Sequence, residues 1–179
     1  TLTPEDSQHK AILEVYEVLV GALKEKFVPF LEPVIRQTLS CAQRDIKFAV
    51  EDHLGGDFNK KGKGDKGDQA MLVDLKILGG QKVISINHSN LEQKVIAFDM
   101  IRQLSKVLKK HLRPHLETLS KIVYDNLDYK LSSGIRDFCY RSLKHLMGVC
   151  STEVECQELF QLFAPKLIKS AEDYLKIEN

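Results

Sequence analysis

Phe27-Val28-Pro29-Phe30-Leu31, Leu112-Arg113-Pro114-His115-Leu116 and Phe163-Ala164-Pro165-Lys166-Leu167 are variants of one pattern, an apolar residue two positions before a proline and a leucine two positions after it. Each opens a stretch with helical apolar spacing. Proline suits the first position of a helix, where its missing N–H would have had no partner. A helix entry that recurs predicts stacked helical repeats, units that bury their apolar faces only against their neighbours. The chain is therefore predicted to be a piece of a solenoid.

Composition fits this reading. Of 179 residues, 43% are hydrophobic and 28% charged, with a formal net charge of +1, the profile of an ordinary soluble domain with no bulk pull toward DNA or acidic lipid. No apolar run approaches membrane-spanning length. The chain starts at Thr1, and Leu2 to Lys10 has no signal-peptide core, so the sequence reads as excised from something longer. Cys41, Cys139, Cys150 and Cys156 are scattered without a Cys-x-x-Cys pair, which predicts reduced, intracellular thiols rather than a disulfide framework or zinc site. His111 and His115 are four apart, but Pro114 lies between them, and they read as solvated helix-start histidines rather than metal ligands.

Outward from the prolines, Thr3-Pro4-Glu5-Asp6 has the makings of a helix start, and Ile12, Leu13, Tyr16, Leu19, Val20 and Leu23 form one stripe of a helix running to about Lys26. A second helix is expected from Pro29 to about Ala42, with Ile46 to Leu54 extending it or forming a separate turn. Residues 55–69 are rich in glycine and charge and are expected to be disordered. Gly62-Lys63-Gly64 lacks the spacing of a phosphate-cradling loop. Between Met71 and Asn87, apolar residues alternate around Gly79-Gly80, which predicts a β-hairpin at about 71–87 lying against a helix. Ser89 and Glu92 stand at capping-box spacing before a long helix to about Lys110, with Leu91, Val95, Phe98, Ile101, Leu104 and Leu108 inward. Helices at about Pro114 to Leu127 and Ser133 to Met147 follow. Two more, Thr152 to Ala164 and Pro165 to Ile177, end the chain, with Thr152 and Glu155 again at capping-box spacing.

No catalytic motif appears: there is no Gly-x-Ser-x-Gly, no His-Glu-x-x-His and no carboxylate pair fixed by spacing. A repeat array instead offers an extended surface, so the default is a binding protein, with no enzyme activity, cofactor or metal expected.

From Leu72 through Leu146 the residues resemble a known family. The hairpin entering Asn90-Leu91-Glu92-Gln93-Lys94, then Phe98-Asp99-Met100-Ile101, Leu112-Arg113-Pro114-His115-Leu116 and Ser133-Gly134-Ile135-Arg136 resemble the central HEAT-repeat region of the karyopherin beta (importin beta) superfamily. Lys26-Phe27-Val28-Pro29-Phe30-Leu31 fits as well. The resemblance implies an all-α HEAT-repeat superhelix of about three repeats over residues 1–179, with one β-hairpin inserted between the two helices of a repeat. It implies a nuclear transport receptor found in the cytoplasm and nucleus, including the nuclear pore. The implied partners are cargo proteins with basic localisation signals, Ran-GTP and Phe-Gly nucleoporins, with no direct nucleic-acid or membrane binding.

In the family, A helices face outward and B helices line the concave surface. The helices at about 5–26, 90–110 and 133–147 would be B helices, and those starting near Pro29, Pro114 and Pro165 would be A helices. The outward charges Glu92, Asp99, Arg102 and Lys106 on one B helix, and Asp137, Arg141 and Lys144 on the next, are the candidate contacts. Each also reads as part of a solvated helix face. Where family members carry an acidic segment with an aromatic, Asn59 to Asp68 is rich in lysine and glycine. The rivals are a HEAT or armadillo scaffold indifferent to Ran, and a nucleic-acid reader resting on the Lys60 to Lys66 cluster, whose interleaved aspartates and lack of stacking aromatics argue against it.

Overall fold

A computed structural model describes residues 8–46, 48–52, 68–73 and 82–177, with side chains over 8–46 and 88–173. Six α-helices carry it: α1 (Gln8–Leu23), α2 (Leu31–Ala42), α3 (His88–Leu108), α4 (Leu116–Asp125), α5 (Ser133–Met147) and α6 (Glu153–Ile177). Helix α3 is central. It packs between α1 and α5, while α2 lies against α3 and α4 against α5. The helices thus alternate between two layers, α1, α3 and α5 in one and α2 and α4 in the other, as a helical-repeat solenoid requires.

The core runs along this stack. On α3 the fully buried Phe98, Ile101, Leu104 and Leu108 recur at three- and four-residue steps, and they meet Leu13 and Val20 of α1, Val34 and Ile35 of α2 and Ile135 and Cys139 of α5 in one continuous cluster. At the two ends the apolar pattern does not close. Val15, Val18, Leu19 and Leu23 of α1 and Val154, Phe160, Leu162 and Ile168 of α6 are exposed.

The proline echo has a structural meaning in its first two copies. Chain passes from one layer to the other through 3-10 turns, Lys24–Phe30 and Lys109–His115. Each begins on a lysine with positive φ, 50° at Lys24 and 41° at Lys109, each five residues before its proline. A left-handed residue just past a helix turns the chain off the helix axis. Phe27 and Leu112 then drop into the core, 2% and 0% exposed, and the next helix starts two residues after the proline.

The third copy behaves otherwise. Pro165 sits inside α6, one unbroken helix where two were expected. Proline removes an intrahelical hydrogen bond and crowds the preceding turn, so something must hold this helix straight. Phe163, 1% exposed, packs edge-on against Tyr124 of α4 with ring centroids 5.8 Å apart. Lys166 Nζ lies 4.4 Å above the same ring and donates to the Tyr124 carbonyl at 2.9 Å. Contacts on both sides of Pro165 clamp α6 to α4.

The expected all-α superhelix with one β-hairpin insertion needs correction. Between α2 and α3 the chain forms a three-stranded antiparallel sheet, β1 (Phe48–Asp52), β2 (Asp68–Val73) and β3 (Lys82–Asn87), in the order β1-β3-β2. The central strand β3 pairs Ile86 with Phe48 on one side and Lys82 with Val73 on the other. Ile46 to Leu54, expected to extend the second helix or form a separate turn, contributes β1. Its alternating Ile46, Phe48 and Val50 is a strand period. A third strand makes physical sense, because a two-stranded hairpin is marginal in water. Of the segment expected to be disordered, 55–67 lies outside the described residues, and Asp68 and Gln69 belong to β2.

Candidate protein-binding face

The helices α1, α3 and α5 lie side by side, so their outward residues form one polar surface, and several of its charges are engaged within a helix or across helices. Glu92 accepts from Lys10 Nζ of α1 at 3.0 Å and sits 3.2 Å from His88 Nε2. The hydrogen bond from Lys10 leads in holding the Glu92 carboxyl below its usual range, and Glu92 in turn raises Lys10. One helical step on, Gln103 donates to Glu17 of α1 at 2.9 Å. Asp99 accepts from Arg102 Nε at 2.6 Å. Burial pushes the Asp99 carboxyl up, Glu17 adds to that, and Arg102 and Arg141 pull it down. The Arg102 guanidinium lies 5.7 Å over the Phe138 ring of α5.

The seven candidates therefore divide. Asp99 and Arg102 are a half-buried closed pair, and Asp137 and Arg141 an exposed pair at 2.7 Å. Glu92 is committed to α1, and Lys106 and Lys144 stand exposed. The structure brings Asp99, Arg102 and Arg141 within electrostatic reach of one another. Sequence reasoning missed Lys10, Glu17 and Gln103, whose partners lie more than 80 residues away in the chain and leave no local signal.

The sheet is rooted in the same helix. Arg44, just before β1, donates to Gln93 Oε1 at 2.6 Å and Asn90 Oδ1 at 3.2 Å, while Lys94 Nζ donates to the Arg44 carbonyl at 3.0 Å. Lys94 is 5% exposed and stacks 4.8 Å from the Tyr129 ring. Burial pulls its pKa down, with Asp45 opposing. A buried cation persists only where it is paired and hydrogen-bonded. This clasp fixes both ends of the insertion and touches the α4–α5 loop.

On the opposite side, α4 and α6 flank a groove of about 660 Å³ floored by Leu116, Ser120, Tyr124, Leu159 and Leu162. Leu162 is 44% exposed. The Ser120 hydroxyl is buried and has no hydrogen-bond partner among the described residues. The groove is closed at one end by Arg113 and Glu155, 2.6 Å apart. Glu155 also accepts from the Ser151 backbone N–H at 2.8 Å and from its hydroxyl, and these bonds, the backbone one foremost, hold its carboxyl at about 2.

Among the described residues no three His, Cys, Asp or Glu side chains are grouped to hold a metal, and no helix is long and apolar enough to cross a membrane. His111 and His115 lie in a 3-10 turn, where His115 faces Glu32 at 3.4 Å. Cys41 and Cys139 are buried, and burial pushes the Cys139 thiol up to about 12.

No protein-family model and no curated protein matches the sequence. Solved structures of the karyopherin Kap121p match the fold. Unbound Kap121p superposes with a TM-score of 0.71 at 20% identity, over 93% of this chain and 16% of that one. Kap121p bound to RanGTP gives 0.68 at 20% identity, over 88% and 15%. Kap121p bound to the extreme C-terminus of the phosphatase Cdc14p gives 0.69 at 20% identity, again over 88% and 15%. The chain thus has the fold of a karyopherin segment and spans about a sixth of the length of those structures.

Proposed function

We propose that this chain is part of a nuclear transport receptor of the karyopherin beta type, working between cytoplasm and nucleus through the nuclear pore. The observation that carries the reading is the fold likeness to Kap121p over about nine-tenths of the chain, in structures that include RanGTP and protein-bound forms. The exposed apolar residues at both ends of the stack support a longer array, since a lone helical pair cannot bury such faces.

In this reading the α1–α3–α5 face meets cargo and Ran-GTP. Its acids Glu17, Glu92, Asp99 and Asp137 complement the basic residues of a localisation signal, and the side chains that now engage them are exchanged for the signal's on binding. The α4–α6 groove takes a Phe-Gly dipeptide of a nucleoporin, the phenyl ring filling the space among Leu116, Leu159 and Leu162.

The test is binding of the full parent chain to Ran loaded in turn with a GTP analogue and with GDP. A strong preference for the GTP form is expected. Equal or absent binding by a folded receptor would move the assignment to a Ran-independent HEAT scaffold. Leu162→Asp in that chain is expected to weaken retention on a Phe-Gly repeat matrix and leave Ran binding unchanged.

A further inference from the structure

One part of the polar face is not neutralised. Lys106 and Arg102 on α3, Lys109 in the turn that follows, and Lys144 in the last turn of α5 all converge on His145. Lys106, Lys109 and Lys144 are exposed, and none takes part in an ion pair among the described residues. Nearby acids are already engaged, Asp99 by Arg102 and Asp137 by Arg141.

Cations at helix C-termini have an ordinary explanation, since the helix dipole attracts one or two there at about 0.3–1 kcal/mol each. Here bases from two adjoining helix ends, Lys106 with Arg102 and Lys109 on one side and Lys144 on the other, act on the one His145 side chain, whose pKa burial lowers most and these cations lower further.

We infer that the joined C-terminal ends of α3 and α5 form a docking site for a short acidic polypeptide segment, whose carboxylates pair with Lys106, Lys109 and Lys144. A protein segment fits better than nucleic acid. Phe138, the ring beside the patch, is covered by Arg102 rather than free to stack on a base. Asp99, Glu17 and Asp137 also bound the patch on its other side, so the positive area is about a helical turn or two deep, which suits a few carboxylates and rejects a continuous phosphate backbone. The inference stands apart from the transport reading, because it rests on charge placement that any helical scaffold with these residues would share.

The probe is a fluorescein-labelled peptide of about ten glutamates, titrated by anisotropy with the 179-residue chain at low and moderate salt. Saturable binding that weakens with salt is expected. The triple variant Lys106→Gln/Lys109→Gln/Lys144→Gln, with helical circular dichroism unchanged, should lose about tenfold or more in affinity. Lys130→Gln/Lys169→Gln, which removes two bases from a groove between α5 and α6 that also contains Asp128 and Asp173, should change it by less than about twofold. Absence of saturable binding, an equal loss in both variants, or tighter binding of a single-stranded RNA of matched charge would each overturn the assignment.

Discussion

Pro29 and Pro114 stand in turns between two helices, whereas Pro165, in nearly the same local sequence, stands inside one. All three have a buried apolar residue two positions earlier, Phe27, Leu112 and Phe163, so apolar anchoring does not distinguish them. What differs lies five residues before the proline. Lys24 and Lys109 are left-handed there, and Phe160 is helical. The turn is made by the backbone reversal and then fixed by the anchor; proline is compatible with either outcome. The comparison teaches that an echo in sequence reports a shared packing role before it reports a shared backbone.

The anchors should give the largest effects. Phe27→Ala is expected to cost about 3–5 kcal/mol and Leu112→Ala about 2–5, since each leaves a cavity in a fully packed site. Phe163→Ala removes a side chain as deeply buried, but one in the last helix, packed edge-on against Tyr124. It should fall at or below the low end of the same range. Urea midpoints at constant slope measure all three. Equal losses at Phe27 and Phe163 would mean that α6 is as much part of the cooperative core as the turns are.

Proline replacement should split the set by sign. Pro165→Ala restores an amide hydrogen inside a helix and is expected to stabilise by up to about 3 kcal/mol, less whatever the clamp on Tyr124 already compensates. Pro29 and Pro114 lie in 3-10 turns ahead of the next α-helix, so no α-helical bond is gained. There Ala only loosens the unfolded chain and should destabilise by about 0.4–1 kcal/mol. A stabilising Pro114→Ala would break the distinction.

Glycine at the reversal point sharpens it further. Lys24→Gly and Lys109→Gly relieve a left-handed side-chain residue and are expected to raise stability by a few tenths to about 1 kcal/mol. Phe160→Gly at the matching position before Pro165 puts glycine into a helix interior and should lower it by about 1. Thermal midpoints of the three variants read the contrast directly.

The helices were legible in the sequence because their buried residues recur at the right period, as Phe98, Ile101, Leu104 and Leu108 do on α3. The insertion was read only partly. The alternation of Ile46, Phe48 and Val50 marks a strand, but it follows a helix directly and competes with a helical reading of the same apolar residues, and its partner β3 lies over thirty residues on. The site was read least. Helical period identifies outward charges such as Lys106 and Lys144, yet which of them are neutralised depends on neighbours far off in sequence: Lys10 for Glu92 and Arg113 for Glu155. A period reports which way a residue faces, and only the stacking decides what it meets.

The smallest expected effect concerns how α6 begins, which bears on why it can run straight through Pro165. Thr152 Oγ1 accepts from the Glu155 N–H at 3.2 Å, and the Glu155 carboxylate reaches back to Ser151 and across to Arg113, so the first turn is fastened to the turn that leads into α4, as the middle of the helix is fastened to α4 through Tyr124. A carboxyl whose folded pKa is depressed contributes stability that is fully present above its unfolded value and lost as pH falls through the folded one. For Glu155 the window runs from about 4.5 down to about 2. Amide exchange in the first turn of α6 should therefore remain slow at pH 5 and accelerate across that window beyond the intrinsic pH dependence of exchange. Glu155→Gln should already exchange quickly at pH 5 and show no such step. If wild type and variant exchange alike at pH 5, the start of α6 is held by Thr152 alone, and the clamp at Tyr124 becomes sufficient to explain an unbroken helix through proline.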